Sequence, residues 1–314
     1  MDRLGDLNNK LSIYICGVFK ILRQMSEDTK KDKKRGSKKS SRDPKSNYAE
    51  MSFLEHLEEL RWHIIRSAFA IIIFAVIAFI FKDLIFDKII LNPRTPEFWT
   101  NRMFAKLADA VGSDALKINQ KPLELISIKI AGQFMTHIWT SIIAGFIIAS
   151  PVVFYEFWRF IKPALYENEK KYATGAVFFT TILFMLGVVF GYFLIVPLSI
   201  HFLGTYNVSG DVTNQINLNS YIGSVTSIIL ASGVVFLLPV FSYFLSKVGL
   251  VTPQFMRTYR KHSYVVMLLL SAIITPPDVF SQIMVCIPLV ILYEIGIMIS
   301  RSVTNKREKE LDEL

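Results

Sequence analysis

Three carboxylates, Glu55, Glu58 and Glu59, crowd the segment from Ser52 to Arg66 (SFLEHLEELRWHIIR), directly ahead of a long apolar run. Carboxylates at the mouth of a membrane helix can accept guanidinium groups, each in a two-pronged fork. The segment reads as a charged amphipathic helix of roughly four turns, on which Glu55 and Glu59 share a face and Glu58 lies near Arg61. A solvated, self-paired helix start fits the same pattern, and these residues alone leave both readings open.

Three further groups carry polar chemistry. The stretch from Pro151 to Lys171 crowds Tyr155, Trp158, Phe160 and Tyr166 at a membrane boundary and ends near Glu169. Aromatic crowding alone describes an interfacial belt. Glu169 is expected close in depth to Glu59, so the two acids form a candidate guanidinium site; a loop acid balanced by Lys170 and Lys171 is the alternative. The turn Thr275, Pro276, Pro277 and Asp278, followed by Ser281 and Gln282, offers helix caps or hydrogen bonds to a partner helix, each worth roughly 1 kcal/mol. Glu294 stands alone in the last apolar run. An intramembrane acid is a functional candidate by default, and Glu294 is equally placed as a structural partner one or two turns from Arg301.

The elements that must position these groups are membrane helices. Of the 314 residues, 52% are apolar, and the mean hydropathy is +0.40. Six apolar stretches carry the excess, at 64–84, 132–156, 172–203, 220–245, 263–275 and 279–300, each able to cross or nearly cross a hydrocarbon layer about 30 Å thick. They are long, lack period-2 alternation and are separated by polar loops. An all-α bundle of six spans satisfies every backbone group internally. The fifth stretch, at roughly 18 Å, is well short of a bilayer, and Pro276 and Pro277 end it. The fifth and sixth spans are therefore expected to be short helices joined by a tight turn.

Lys and Arg in the short loops set the orientation. Arg159, Lys162, Lys170 and Lys171 follow the second span; Lys247, Arg257, Arg260 and Lys261 follow the fourth; Arg301, Lys306, Arg307 and Lys309 follow the sixth. Loops 204–219 and 276–278 contain none. Both termini are expected in the cytoplasm. The first outer loop, about 85–130, carries both signs of charge and does not decide the matter.

Three regions follow. Residues 1–50 form an extension in which 3–25 has the spacing of an interfacial amphipathic helix and 30–45 sets nine basic residues against two acids. Such a run suits anionic lipid headgroups, so the net charge of +9 is not a nucleic-acid signature. Residues 51–301 form the membrane domain, and 302–314 a charged tail. Cys16 and Cys286 fall in the extension and the last span, which offers no outer disulfide or metal site. There is no G-x-S-x-G, H-E-x-x-H or phosphate loop, and His56, His63, His137, His201 and His262 are scattered, so neither an enzyme nor a cofactor is expected.

From Met51 to Arg301 the chain resembles the TatC family, the multi-span subunit of the twin-arginine protein translocase. The resemblance rests on Phe53 to Arg61, then on Pro151, Tyr155, Trp158, Phe160, Pro163, Leu165 and Glu169. It continues through Thr275 to Gln282, Glu294 with Gly296, and Pro239 of the fourth span. It implies a cupped bundle that recognises the paired arginines of signal peptides on folded cargo. It also implies assembly with TatA-type and TatB-type single-span partners, in multiple copies, in the bacterial cytoplasmic membrane, with export driven by the proton-motive force. By motif, Glu59 and Glu169 would bind the arginines, with Leu57, Arg61 and Phe160 shaping the site. Thr275 and Gln282 would lie on a partner-helix surface and Asp278 in the outer turn.

Two positions depart from the family. Leu237 stands where relatives often carry Glu or Gln two residues before the proline, and Glu156 follows Tyr155 where Gln is usual, adding an acid to the inner face. A rival reading, a proton-coupled transporter or channel, would string Glu156, His137 and Glu294 into a proton path. Transporters usually carry an internal repeat and a midplane site on broken helices, and neither is visible in the sequence.

Overall fold

The structure, a computed structural model, describes residues 53–112, 117–161, 173–207, 209, 214–249, 251–275 and 279–312. The expected extension at 1–50 lies outside them. The chain divides at Glu55, and from His56 onward it forms one compact unit. Helix α1 spans Phe53–Ile80, and a π-helical turn, Leu84–Ile90, and a 3-10 turn, Asn92–Arg94, follow it. Next come α2 (Trp99–Val111) and α3 (Gly132–Ile161). One long rod is built from α4 (Ala173–Phe190), a π-helical turn at Gly191–Ile195, and α5 (Val196–Thr205).

Helices α6 (Leu218–Val235) and α7 (Leu238–Val248) make the fourth apolar rod. Phe236 and Leu237 break it, just ahead of Pro239, whose missing N–H cannot continue the ladder. Short α8 (Pro253–Thr258) starts on the Thr252 side chain, which accepts from the Phe255 N–H. The last two helices are α9 (Arg260–Ile274) and α10 (Val279–Asp312).

Among the described residues, five rods are long and apolar enough to cross a membrane: Glu58–Ile80, Gly132–Ile161, Gly175–Thr205, Leu218–Lys247 and Gln282–Asn305. Within their most apolar windows only 17% to 44% is buried inside the protein, so the remaining apolar surface needs lipid to cover it. The fifth apolar stretch, α9, is short as the sequence suggests. Its partner is not: α10 runs for 34 residues, because Lys306 to Leu311 are good helix formers that carry the rod past its apolar part.

The core lies where the long rods meet. Ile195, Val196, Ile222, Val225, Ile229 and Leu289 are its centre. Small residues set the closest approaches. A Cβ built on Gly145 of α3 would stand 2.5 Å from the backbone nitrogen of Ala75 in α1. Gly187 and Gly191 likewise lie against Ser232 of α6.

At the end of the bundle where α1 finishes, α2 and the loops around it pack on α5. Pro197 has no N–H to give the Phe193 carbonyl, and the Thr100 hydroxyl of α2 donates to it instead. The Asn101 amide donates to the Pro93 and Thr95 carbonyls, and the Asn119 amide donates to Pro197 and to the Asn101 side chain. Asn119 sits at φ 47°, a left-handed conformation that asparagine tolerates. A two-residue parallel pair, β1 (Leu125–Ile126) with β2 (Ile216–Asn217), closes this end; the sequence gives no alternation that would reveal it.

Candidate functional site

At the other end, α1 and α3 run antiparallel and present one charged stripe to each other. Glu59, His63 and Arg66 recur at i, i+4 and i+7 on α1, so they stack on one face. Glu156 and Phe160 do the same on α3. His63 and Glu156 are both buried, and the His63 Nδ1–H donates to Glu156 Oε2 at 2.5 Å. Arg66 stands 3.8 Å from the same oxygen, and the Phe160 ring meets the His63 ring edge-on at 6.1 Å. Trp158 is buried on the far side of α3 and donates to the Thr180 hydroxyl at 3.1 Å, which fixes α3 on α4.

One turn before His63, Glu59 is half-buried. Its Oε2 is shielded from solvent and has no hydrogen-bond partner among the described residues. A shielded carboxylate oxygen without a donor is costly by about 1–3 kcal/mol, and a donor from outside the chain would recover it. Beside it α1 and α3 part to leave an apolar groove of about 290 Å³, whose walls include Leu60, His63, Ala68, Val153, Phe157 and Phe160. Arg61 and Glu58 are exposed. Leu57 is described only as backbone of α1, and Glu169 lies outside the described residues.

The remaining sequence candidates fall on α9 and α10. Thr275 is buried and donates to the Ser271 carbonyl. The Gln282 amide donates to the Leu268 carbonyl at 3.2 Å and ties the two helices together. Pro276, Pro277 and Asp278 lie outside the described residues. Glu294 is held by Arg260 at 3.0 Å and accepts the Tyr264 hydroxyl at 2.6 Å; the partner is Arg260 on the neighbouring helix, rather than Arg301 along its own.

The departures from the family pattern also acquire environments. Leu237 is buried with Leu183 and Phe184, so an apolar contact occupies the place of a polar one. Glu156 points inward to His63 and is not an open acid. His137 stacks on Phe79 at 3.9 Å and faces the Phe79 carbonyl at 3.1 Å. Glu156, His137 and Glu294 are thus each engaged by a different local partner. The sequence reading missed the His63–Glu156 pair. Its one signal was the i, i+4, i+7 recurrence of Glu59, His63 and Arg66, which places a second charged layer above the first.

Long apolar rods with lipid-facing surfaces and a polar cluster at one end define a multi-pass helical membrane protein. Residues 55–288 match the TatC family, described as Sec-independent protein translocase protein (TatC). The TatC protein of Blattabacterium sp. subsp. Periplaneta americana is 43% identical over 265 residues, covering 84% of this chain and 100% of the relative. That of Aquifex aeolicus is 35% identical over 260 residues, covering 82% and 98%. Two crystal structures of the twin-arginine translocase receptor TatC are also similar. One superposes with a TM-score of 0.61 at 35% identity, covering 78% of this chain and 99% of the other; the second gives 0.56 at 34%, covering 80% and 100%. The chain belongs to the TatC family, and it is a protein translocase component.

Proposed function

We propose that this chain is the receptor subunit of a twin-arginine translocase, binding the paired arginines of signal peptides on folded cargo. The observation that supports it most directly is the shielded, partnerless oxygen of Glu59 beside the α1–α3 groove. Glu59 and Glu169 each receive one guanidinium group in a fork, and Leu57, Arg61 and Phe160 shape the site. The receptor description of the two similar crystal structures agrees with this reading.

In the same reading α9 is the fifth of six spans. At 15 residues it covers roughly 22 Å and thins the membrane beside it. Both termini lie in the cytoplasm, because Lys and Arg concentrate in the loops on that side, and the membrane is the bacterial cytoplasmic membrane. TatA-type and TatB-type helices dock on the α9–α10 face at Thr275 and Gln282, where Leu268, Ile273, Ile283 and Ile287 are exposed, with Asp278 in the turn between. Several copies assemble, and the proton-motive force drives export.

Photocrosslinking in membranes tests the assignment, using a cargo whose signal carries paired arginines and the same cargo with paired lysines. Labelling near Glu59 and Glu169 is expected for the arginine signal only. Equal labelling by both would sink the guanidinium readout, as would continued export by an inserted double variant, Glu59→Ala with Glu169→Ala.

A further inference from the structure

Glu156 takes no part in that proposed contact, yet it is the one buried carboxylate among the described residues. A charge there persists only if it is paired, and its partners both come from α1: His63 at 2.5 Å and Arg66 at 3.8 Å. Both lie on the stripe that begins with Glu59. Within a helix, side chains four residues apart are neighbours, so the Glu59 carboxylate and a ring N–H of His63 are natural partners. They do not pair here. His63 turns its Nδ1–H across to α3, and Glu59 Oε2 is left with no donor among the described residues.

We propose that Glu156 is a positioning residue for the receptor: it draws His63 to α3, assisted by Arg66, and so keeps the Glu59 carboxylate open to a guanidinium-bearing peptide. This rests on the reading of Glu59 as the acceptor. Without the Glu156 carboxylate, the imidazole is released one turn from Glu59 and the helix supplies its own competitor. An incoming arginine must then displace it. Two distinct roles make opposite forecasts for a double variant. A competitor is removed when His63 is also replaced, so binding recovers. A clasp that merely joins α1 to α3 is not rebuilt by removing its second half, so binding stays weak.

The test is titration of the full-length protein in nanodiscs with a fluorescent peptide carrying paired arginines. Folding of each variant is checked by its melting temperature. Glu156→Gln is expected to weaken binding about tenfold, the equivalent of one charge-assisted hydrogen bond. Glu156→Gln combined with His63→Leu, which leaves no donor at that position, is expected to return to within about twofold of the unmodified protein. If E156Q fails to fold, Glu156→Asp retains the charge, shortens its reach and is expected to weaken binding about threefold. Unchanged binding by the folded single variant, or a double variant as weak as the single, overturns the proposal while leaving Glu59 as the acceptor. Undiminished binding by Glu59→Gln removes the acceptor reading itself, and the proposal falls with it.

Discussion

Arg260 of α9 and Glu294 of α10 meet at 3.0 Å, and the second oxygen of the same carboxylate accepts the Tyr264 hydroxyl at 2.6 Å. Tyr293, one residue away, accepts from Ser263 and donates to the Met256 carbonyl. Polar links thus join α8, α9 and α10 around one acid. The ion pair is partly exposed, with side chains 43% and 31% accessible, so its own contribution is small, at most about 1 kcal/mol. The Tyr264 hydroxyl adds a hydrogen bond to the same charged group. Glu294→Ala is expected to lower the melting temperature, and Glu294→Gln to lower it by less than half as much. Thermal unfolding of the solubilised protein separates the two. Equal losses would show that hydrogen bonding to the acid is unimportant.

Gly145 makes a sharper steric forecast. A side chain there meets Ala75 backbone at 2.5 Å, and backbone cannot swing aside as a flexible side-chain tip can. Gly145→Ala is expected to separate α1 from α3 and cost about 1–3 kcal/mol. Gly223, in the middle of α6, has nothing within 4 Å of its would-be Cβ. Gly223→Ala is therefore expected to be neutral or stabilising by up to about 1 kcal/mol. Melting temperatures measured side by side check the contrast.

The long rods were legible because apolar runs of more than twenty residues leave few alternatives. The interruption between α6 and α7, ahead of Pro239, falls within 220–245, which reads in the sequence as one uninterrupted span. The elements that escaped are held by contacts distant in sequence. The β1–β2 pair joins residues about ninety positions apart, and Thr100 caps a carbonyl freed by Pro197. The site divides along the same line. Local spacing left Glu55, Glu58 and Glu59 alike, and only the resemblance to the family singled out Glu59. The pairing of Glu156 with His63 and of Glu294 with Arg260 depends on which helices become neighbours, and helical periodicity within one segment cannot supply that. The length of α10 is a different case: its polar end is helical by propensity, in a region where apolar content was the wrong signal.

Leu237 tests how far the family pattern transfers to this chain. It packs against Leu183 and Phe184 in an apolar cluster that also touches Phe146 and Val240. Leu237→Glu, although it restores a residue type frequent in relatives, is expected to place a carboxylate among these side chains without a donor. The expected loss is about 2–4 kcal/mol or more, read as a lower melting temperature and a reduced inserted yield. A variant as stable as the parent would show that a donor reaches this position from elsewhere.

Asn101 gives the most local forecast. Its amide group donates to the Pro93 and Thr95 carbonyls and its oxygen accepts from Asn119, whose own amide also holds the Pro197 carbonyl. Asn101 is buried, so Asn101→Ala leaves two carbonyls and an amide hydrogen without partners, at a cost of about 1–3 kcal/mol for each group that water cannot reach. The damage is confined by the fold, because these bonds join α2 and its flanking turns to α5 and none of them involves α1, α3 or α10. Hydrogen exchange is expected to quicken in residues 92–111 and 117–120 while the backbone amides of α3 and α6 keep their protection. Uniform acceleration across the whole protein would instead mean that this end nucleates the entire bundle.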